Sequence, residues 1–332
     1  MASATRNHAV FVIGIALSAL FLWIAVRDVD FDQVQAALAA ADARWAVLVL
    51  AFLAGFCLAK AWRWSMLLGL PTAHGSAALT RAVLVGYAAT SLLPLQLGEV
   101  VRAWAASKVV DRSLAPIVVS IALERVLDLF AVLAVLAGVL LLGGPLPTGL
   151  LRAGWTLGAA SLVLLVALVI YVEFTEATLR WVARLATPLP ARARAILLDQ
   201  LRRGAHGAAS LRSPSMCLWL GVSSLAQWAL MAGCIAASCA ALGLDVPFAA
   251  AASVLGLTII GMSLPSGPGY VGSIQLAFTM GLAPFGIAPG PAIAASIFYH
   301  VLVCGSLIVA GLIALRRLGG TLRSIVSVPP VS

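Results

Sequence analysis

The chain has 332 residues, of which 62% are hydrophobic and 10% charged, and its mean hydropathy is +1.08. Soluble domains carry about 25% charge, so an ordinary cytosolic globule, a disordered tail, a coiled coil and a disulfide scaffold are all excluded. The net charge of +9 sits mostly in short loops between apolar runs, which is the positive-inside pattern and not that of a nucleic-acid-binding face.

The first apolar run, residues 9–26, is longer than the hydrophobic core of a signal peptide and reads as a retained first helix. Segment 27–44 sets two arginines against Asp28, Asp30, Asp32 and Asp42, which places it outside. Run 45–68 follows, and Lys60, Arg63 and Arg81 around its far end mark the inner side. Run 82–97 has Arg81 before it and Lys108 and Arg112 after it. A single crossing here would turn every later loop to the wrong side. The stretch Leu93-Pro94-Leu95-Gln96-Leu97-Gly98-Glu99 supplies a break, because proline lacks an N–H and disfavours helix before it. Residues 81–108 therefore read as a re-entrant hairpin.

Runs 116–142, 154–172 and 216–242 read as further spans. Between the last two, segment 173–213 carries seven arginines against three acids. It is expected on the cytoplasmic side as amphipathic helices lying on the anionic inner leaflet. Run 248–264 meets a cluster of breakers, Pro265-Ser266-Gly267-Pro268-Gly269-Tyr270-Val271-Gly272, then a short apolar piece, 271–284. Residues 248–288 read as a second hairpin, opening to the other side. The last span, 291–315, ends inside at Arg316 and Arg317.

The expected fold is an all-α polytopic membrane protein in a single domain, 1–332. It has six transmembrane helices and two re-entrant hairpins, with both termini cytoplasmic. The halves, 1–142 and 152–315, form an inverted-topology repeat, a transporter plan with its site near the midplane. The alternative is eight spanning helices.

A charge inside a span costs about 2.5–3.5 kcal/mol on insertion scales, so it needs a partner or a wet cavity. Run 116–142 contains Glu124, Arg125 and Asp128. Spacing puts Glu124 and Asp128 on one face and lets Arg125 pair with Asp128. Glu124 lies roughly 16 Å along a helix that starts at Ser113, the depth the first hairpin reaches from Arg81 to Pro94. Glu99 and Arg102 on its return limb can then join them. These five ionisable residues form either a closed anchoring network or a substrate site. Helix N-termini near Gly98 and Gly272 would aim free N–H groups at the membrane centre, where they suit phosphate. Gly267, Gly269 and Gly272 would admit a head group close to the backbone. The five cysteines lie in apolar runs without ligand spacing, and no metal site, cofactor site or nucleophile–base pair is expected.

The segments Arg81-Ala-Val-Leu-Val-Gly-Tyr, Pro94-x-x-x-Gly98-Glu99-x-x-Arg102, Glu124-Arg125-x-x-Asp128 and Pro268-Gly269-x-x-Gly272 together resemble the lysylphosphatidylglycerol synthase transmembrane-region family, also called flippase-like domain proteins. The resemblance spans about residues 9–315. It implies a lipid-translocating domain of the bacterial inner membrane, here expected as a stand-alone member without the aminoacyl transferase. Many members carry Glu three residues after the last motif glycine, where this sequence has Gln275. That departure weakens any inference of a cationic lipid.

The expected function is a non-enzymatic flippase or transporter of an amphiphile with an anionic or phosphorylated head group: a phospholipid, a polyprenyl-phosphate-linked sugar or a hopanoid-type lipid. The candidate lining comprises Arg81, Pro94, Gly98, Glu99, Arg102, Glu124, Arg125, Asp128, Pro265, Gly267, Pro268, Gly269, Gly272 and Gln275. The expected partners are membrane lipids, and a lipid-modifying enzyme is the protein partner this reading allows. The rivals are a membrane-embedded lipid-modifying transferase, for which Glu99, Glu124 and Asp128 are the only candidate bases, and a scaffold subunit of a lipid-synthesis complex.

Overall fold

A computed structural model describes residues 2–93, 97–110, 112–141, 148–188, 190–207, 213–263 and 267–319. Among them the regular elements are all helical. In chain order they are α1 (Ala2–Val26), α2 (Phe31–Ala39), α3 (Arg44–Leu67), α4 (Thr72–Leu92), α5 (Gly98–Val109), α6 (Leu114–Leu141), α7 (Thr148–Glu173), α8 (Thr175–Leu185), α9 (Ala191–Gly207), α10 (Pro214–Ala241), α11 (Phe248–Ser263), α12 (Ser273–Leu282) and α13 (Pro289–Arg317). Three helices, Arg44–Leu67, Ser215–Ala241 and Pro289–Arg317, are long and apolar enough to cross a membrane by themselves. The protein is a multi-pass helical membrane protein.

Two boundaries differ from the sequence reading. Segment 27–44 contains α2, whose first turn is capped by Asp30, its carboxylate accepting from the Asp32 N–H at 3.0 Å. Helix α4 starts at Thr72, ten residues before the apolar run. Its opening, residues 72–81, sets Thr, His, Gly, Ser and Arg among three alanines and a leucine, and hydropathy therefore marks only its second half.

Each of the two breaks joins limbs that fold back on each other. Helices α4 and α5 run antiparallel, with Gly86 facing Arg102 and Gly98 facing Thr90. Helices α11 and α12 do the same, with Gly261 facing Ser273 and Gly281 facing Val254. Gly98 is required for the first of these pairs. A Cβ there would stand 1.7 Å from Thr90 Oγ1 and 2.5 Å from the Gly86 carbonyl oxygen.

Helix α13 packs on α2, α3 and α4, and α6 packs on α9, α10 and α11. The central pair, α3 and α10, is antiparallel. Near one end the Asp42 N–H donates to the Ala241 carbonyl at 2.9 Å, and towards the other end Arg63 Nη1 donates to Ser224 Oγ at 2.7 Å. One apolar core surrounds α4 and α5 with residues such as Trp64, Val83, Ala105 and Ile117. A second surrounds α11 and α12 with Phe56, Ile235, Phe278 and Tyr299. Both are rich in alanine, which brings helix backbones close where no hydrophobic effect drives association. Large apolar side chains such as Trp155, Val163, Leu218 and Val301 point outwards, as a lipid-facing surface requires.

Candidate functional site

The centre of the site is a pair of carboxylates on α6. Glu124 and Asp128 are one turn apart on one face, both buried, about 15–20 Å along the helix. Uncompensated, two such groups would be very costly to hold out of water. Two helices bring cations to them, and a third brings neutral donors. From α5, Arg102 grips Glu124 bidentately, with Nη1 to Oε1 and Nη2 to Oε2 both at 3.0 Å. From α3, Lys60 contacts Glu124 and lies 3.4 Å from Asp128, and Arg63 Nη2 donates to Asp128 Oδ1 at 2.5 Å. From α10, Gln227 Nε2 and Trp228 Nε1 donate to the same Asp128 oxygen at 3.1 and 3.3 Å. The Arg102 guanidinium also lies over the Trp64 ring, 4.5 Å from its centroid. Trp64 is held in turn by its Nε1 donation to Ser120 Oγ at 2.8 Å.

Two further charges stand at the edge. Glu99, in the first turn of α5, contacts Arg125 and reaches Arg102 Nε at 3.3 Å. Their side chains are 30% and 55% exposed, against 0% for Glu124 and Arg63. Arg125 thus pairs with Glu99 and not with Asp128. The i,i+3 spacing made the second pairing possible, but Asp128 turns inward to Arg63 while Arg125 faces out from the bundle.

Lys60 and Arg63 are the residues that the sequence reading misplaced. It assigned them to the inner membrane surface because they lie near the end of an apolar run. In the structure both are buried in the network, since α6 presents two carboxylates at their level. Gln227 was not singled out at all. Two cations three residues apart inside a spanning run were the available signal for the first two; a neutral amide gave none. Arg81 is exposed on α4, apart from these ion pairs. Pro94 and Pro265 lie outside the described residues.

The second break has a different character. Gly272, at φ +87°, packs against α1, where a Cβ would meet the Ser18 carbonyl oxygen at 2.3 Å. The Gly267 N–H donates to Ser18 Oγ at 2.7 Å. Pro268, exposed, begins a short 3-10 turn in which Gly269 (φ +70°) sits between α4 and α13, 3.6 Å from the Ser91 carbonyl oxygen and 3.8 Å from His300 Nε2 when a Cβ is added. Gln275 caps α12, its Oε1 accepting from the Gly272 N–H at 2.7 Å while Nε2 lies 3.3 Å from His300 Nδ1. Gly267 and Gly272 approach α1 closely while Gly269 makes an ordinary contact, and Gln275 satisfies a helix end.

Residues 11–311 match the family model described as lysylphosphatidylglycerol synthase TM region. Neither the curated proteins nor the solved structures contain a match.

Proposed function

The chain belongs to the lysylphosphatidylglycerol synthase TM-region family, and we propose that it is a non-enzymatic flippase or transporter of the bacterial inner membrane. Its cargo in this reading is an amphiphile with an anionic or phosphorylated head group. The observation that carries the reading is the charge balance of the network. Lys60, Arg63, Arg102 and Arg125 make four cations against the three carboxylates Glu99, Glu124 and Asp128, leaving one positive charge over. A purely anchoring cluster gains nothing from an uncompensated cation at this depth, whereas an anionic head group would neutralise it. The test is translocation in reconstituted vesicles, read by leaflet-specific quenching of a labelled phosphatidylglycerol. The wild-type protein should raise the flip rate on the order of tenfold over empty vesicles, and Arg102→Ala should return it to background while still eluting as a folded protein. A flip rate equal to that of empty vesicles would favour the transferase or scaffold readings instead.

The same reading includes six spanning helices and two re-entrant hairpins related by an inverted repeat, with both termini cytoplasmic. The antiparallel α4–α5 and α11–α12 pairs support it, as does the antiparallel contact of the equivalent helices α3 and α10. Segment 173–213 would rest on the anionic inner leaflet. Arg180, Trp181, Arg184 and Leu185 are exposed on α8 while Leu179 is buried, the mixture of an interfacial helix. Cysteines introduced at Ser107 and Thr187 should react only with reagents supplied from the cytoplasm, and cysteines at Asp42 and Asp245 only from outside. Outside labelling at Thr187 would exclude this topology.

A further inference from the structure

The second break is tied to α13 by a closed circuit of hydrogen bonds. The Gly272 N–H donates to Gln275 Oε1 at 2.7 Å, and Gln275 Nε2 lies 3.3 Å from Nδ1 of His300 on α13. The other imidazole nitrogen, Nε2, is on the side of the Gly269 backbone, which hydrogen-bonds the imidazole and completes the circuit. Both ends therefore return to the turn 268–272.

The direction of every bond in this circuit follows from one end. A backbone N–H can only donate, so Oε1 must face Gly272 and the amide NH2 must face His300. Nδ1 must then accept, which leaves the proton of a neutral imidazole on Nε2, directed at the Gly269 carbonyl. A protonated imidazole carries N–H on both nitrogens, and its Nδ1–H would oppose the amide NH2. Turning the amide over only moves the conflict, because the NH2 then faces the Gly272 N–H. In this geometry one donor is left unanswered either way, and that is costly away from water.

Nothing beside the imidazole compensates a positive charge. Among the described residues His300 has no ion pair, and α1, α2, α3, α4 and α10 give it no hydrogen bond. Its titratable neighbours are Cys304, one turn along α13, and Tyr270 in the turn; Arg125 of α6 acts on Tyr270 and not on His300. Tyr270 is also the one described residue other than glycine in the left-handed region, at φ +58°, a conformation that persists only where its surroundings hold it. Pro268 and Val271 are exposed. Irregular backbone at membrane depth faces protein or a wet cavity and not lipid, so water has access to this turn.

We propose that His300 is a proton-binding site that controls the second break: neutral, it closes the circuit, and on taking up one proton it releases the turn 268–272 from α13. The proton passes from water to Nδ1 and returns to water when the circuit recloses. The closed state binds one proton fewer than the released state, so lowering the pH favours release. Gln275 is what makes the circuit sensitive, since its amide offers only one acceptor. The inference goes beyond the flippase reading and does not depend on the cargo.

The test is hydrogen–deuterium exchange of the purified full chain, corrected for the intrinsic pH dependence of exchange. Between about pH 7.5 and about pH 5.5, which brackets the titration of an ordinary imidazole, protection of residues 267–276 should fall about tenfold, the scale of one unanswered buried donor. Peptides from α3 and α10 should keep their protection. His300→Asn, whose Oδ1 can accept where Nδ1 does but does not titrate, should hold 267–276 protected at the lower pH. Gln275→Glu should do the same by another route. Its two carboxylate oxygens accept from the Gly272 N–H and from a protonated Nδ1 together, so the circuit stays closed with the proton bound. This variant keeps the histidine and serves if His300→Asn does not fold. Unchanged protection of 267–276 in the wild-type protein would overturn the proposal. So would an equal loss in α3 and α10, or the wild-type pH response persisting in either folded variant.

Discussion

Replacing Asp128 by alanine should destabilise the protein by about 3–5 kcal/mol, the range for breaking a buried ion pair from one side. Asp128 accepts from Arg63, Gln227 and Trp228 and lies beside Lys60, so its removal strips acceptors from two helices at once. The balance of the whole network worsens from four cations against three carboxylates to four against two, with Glu124 left as the only inner counter-charge among the described residues. The effect should read out as a lower unfolding midpoint of the purified protein and as loss of full-length material from membranes. Adding Lys60→Met to Asp128→Ala returns the excess to a single positive charge. The double variant should therefore recover at least about 1 kcal/mol, a coupling of the size found between residues in contact. A loss below about 1 kcal/mol for Asp128→Ala alone would mean that water reaches Arg63 and Lys60.

Gly272→Ala should be the most damaging substitution among the glycines of the second break. A side chain there is strained at φ +87°, and its Cβ would stand 2.3 Å from the Ser18 carbonyl oxygen and 2.8 Å from the Leu22 nitrogen. Both are backbone atoms of α1, which cannot move aside as a side-chain tip can. Gly269→Ala is the matched control: its φ is +70°, but the nearest atom lies at 3.6 Å, an ordinary contact. Gly269→Ala should cost about 1–2 kcal/mol, the left-handed penalty alone. Gly272→Ala adds an overpacking cost of about 1–3 kcal/mol and should loosen α1 from α12. Thermal unfolding of the two variants, with limited proteolysis of the α1–α2 segment, separates the cases. Equal losses for both would show that α1 follows the change freely.

The parts of the fold readable in advance were those with a strong local cause. Long apolar runs identified α3, α10 and α13, and the breakers at 94–98 and 265–272 located the points where limbs turn back. Helix α2 was hidden because its nine residues lie among acids that read as a loop, and the start of α4 because polar residues between its alanines keep hydropathy low. At the site, spacing placed Glu124 and Asp128 on one face. It gave no means of choosing their partners. Lys60 and Arg63 looked the same as cations that snorkel to a surface, and only the packing of α3 on α6 and α10 distinguishes burial from snorkelling. Arg125 had an acid on its own helix at a suitable interval, and the competing acid, Glu99, was on another element. Pairings between helices are set by how the bundle closes, which is not a local property of the chain.

All seven charged members of the network lie between residues 60 and 128, while α10 contributes only Ser224, Gln227 and Trp228, all neutral. The helices around the network are therefore unlike in what it costs to move them. Separating α3, α5 and α6 from one another would pull apart ion pairs held out of water. Sliding α10 along that charged block breaks, at the network, two hydrogen bonds donated by Gln227 and Trp228 and one that Ser224 accepts from Arg63, and no ion pair. At the network, then, displacing α10 costs less than separating α3, α5 and α6.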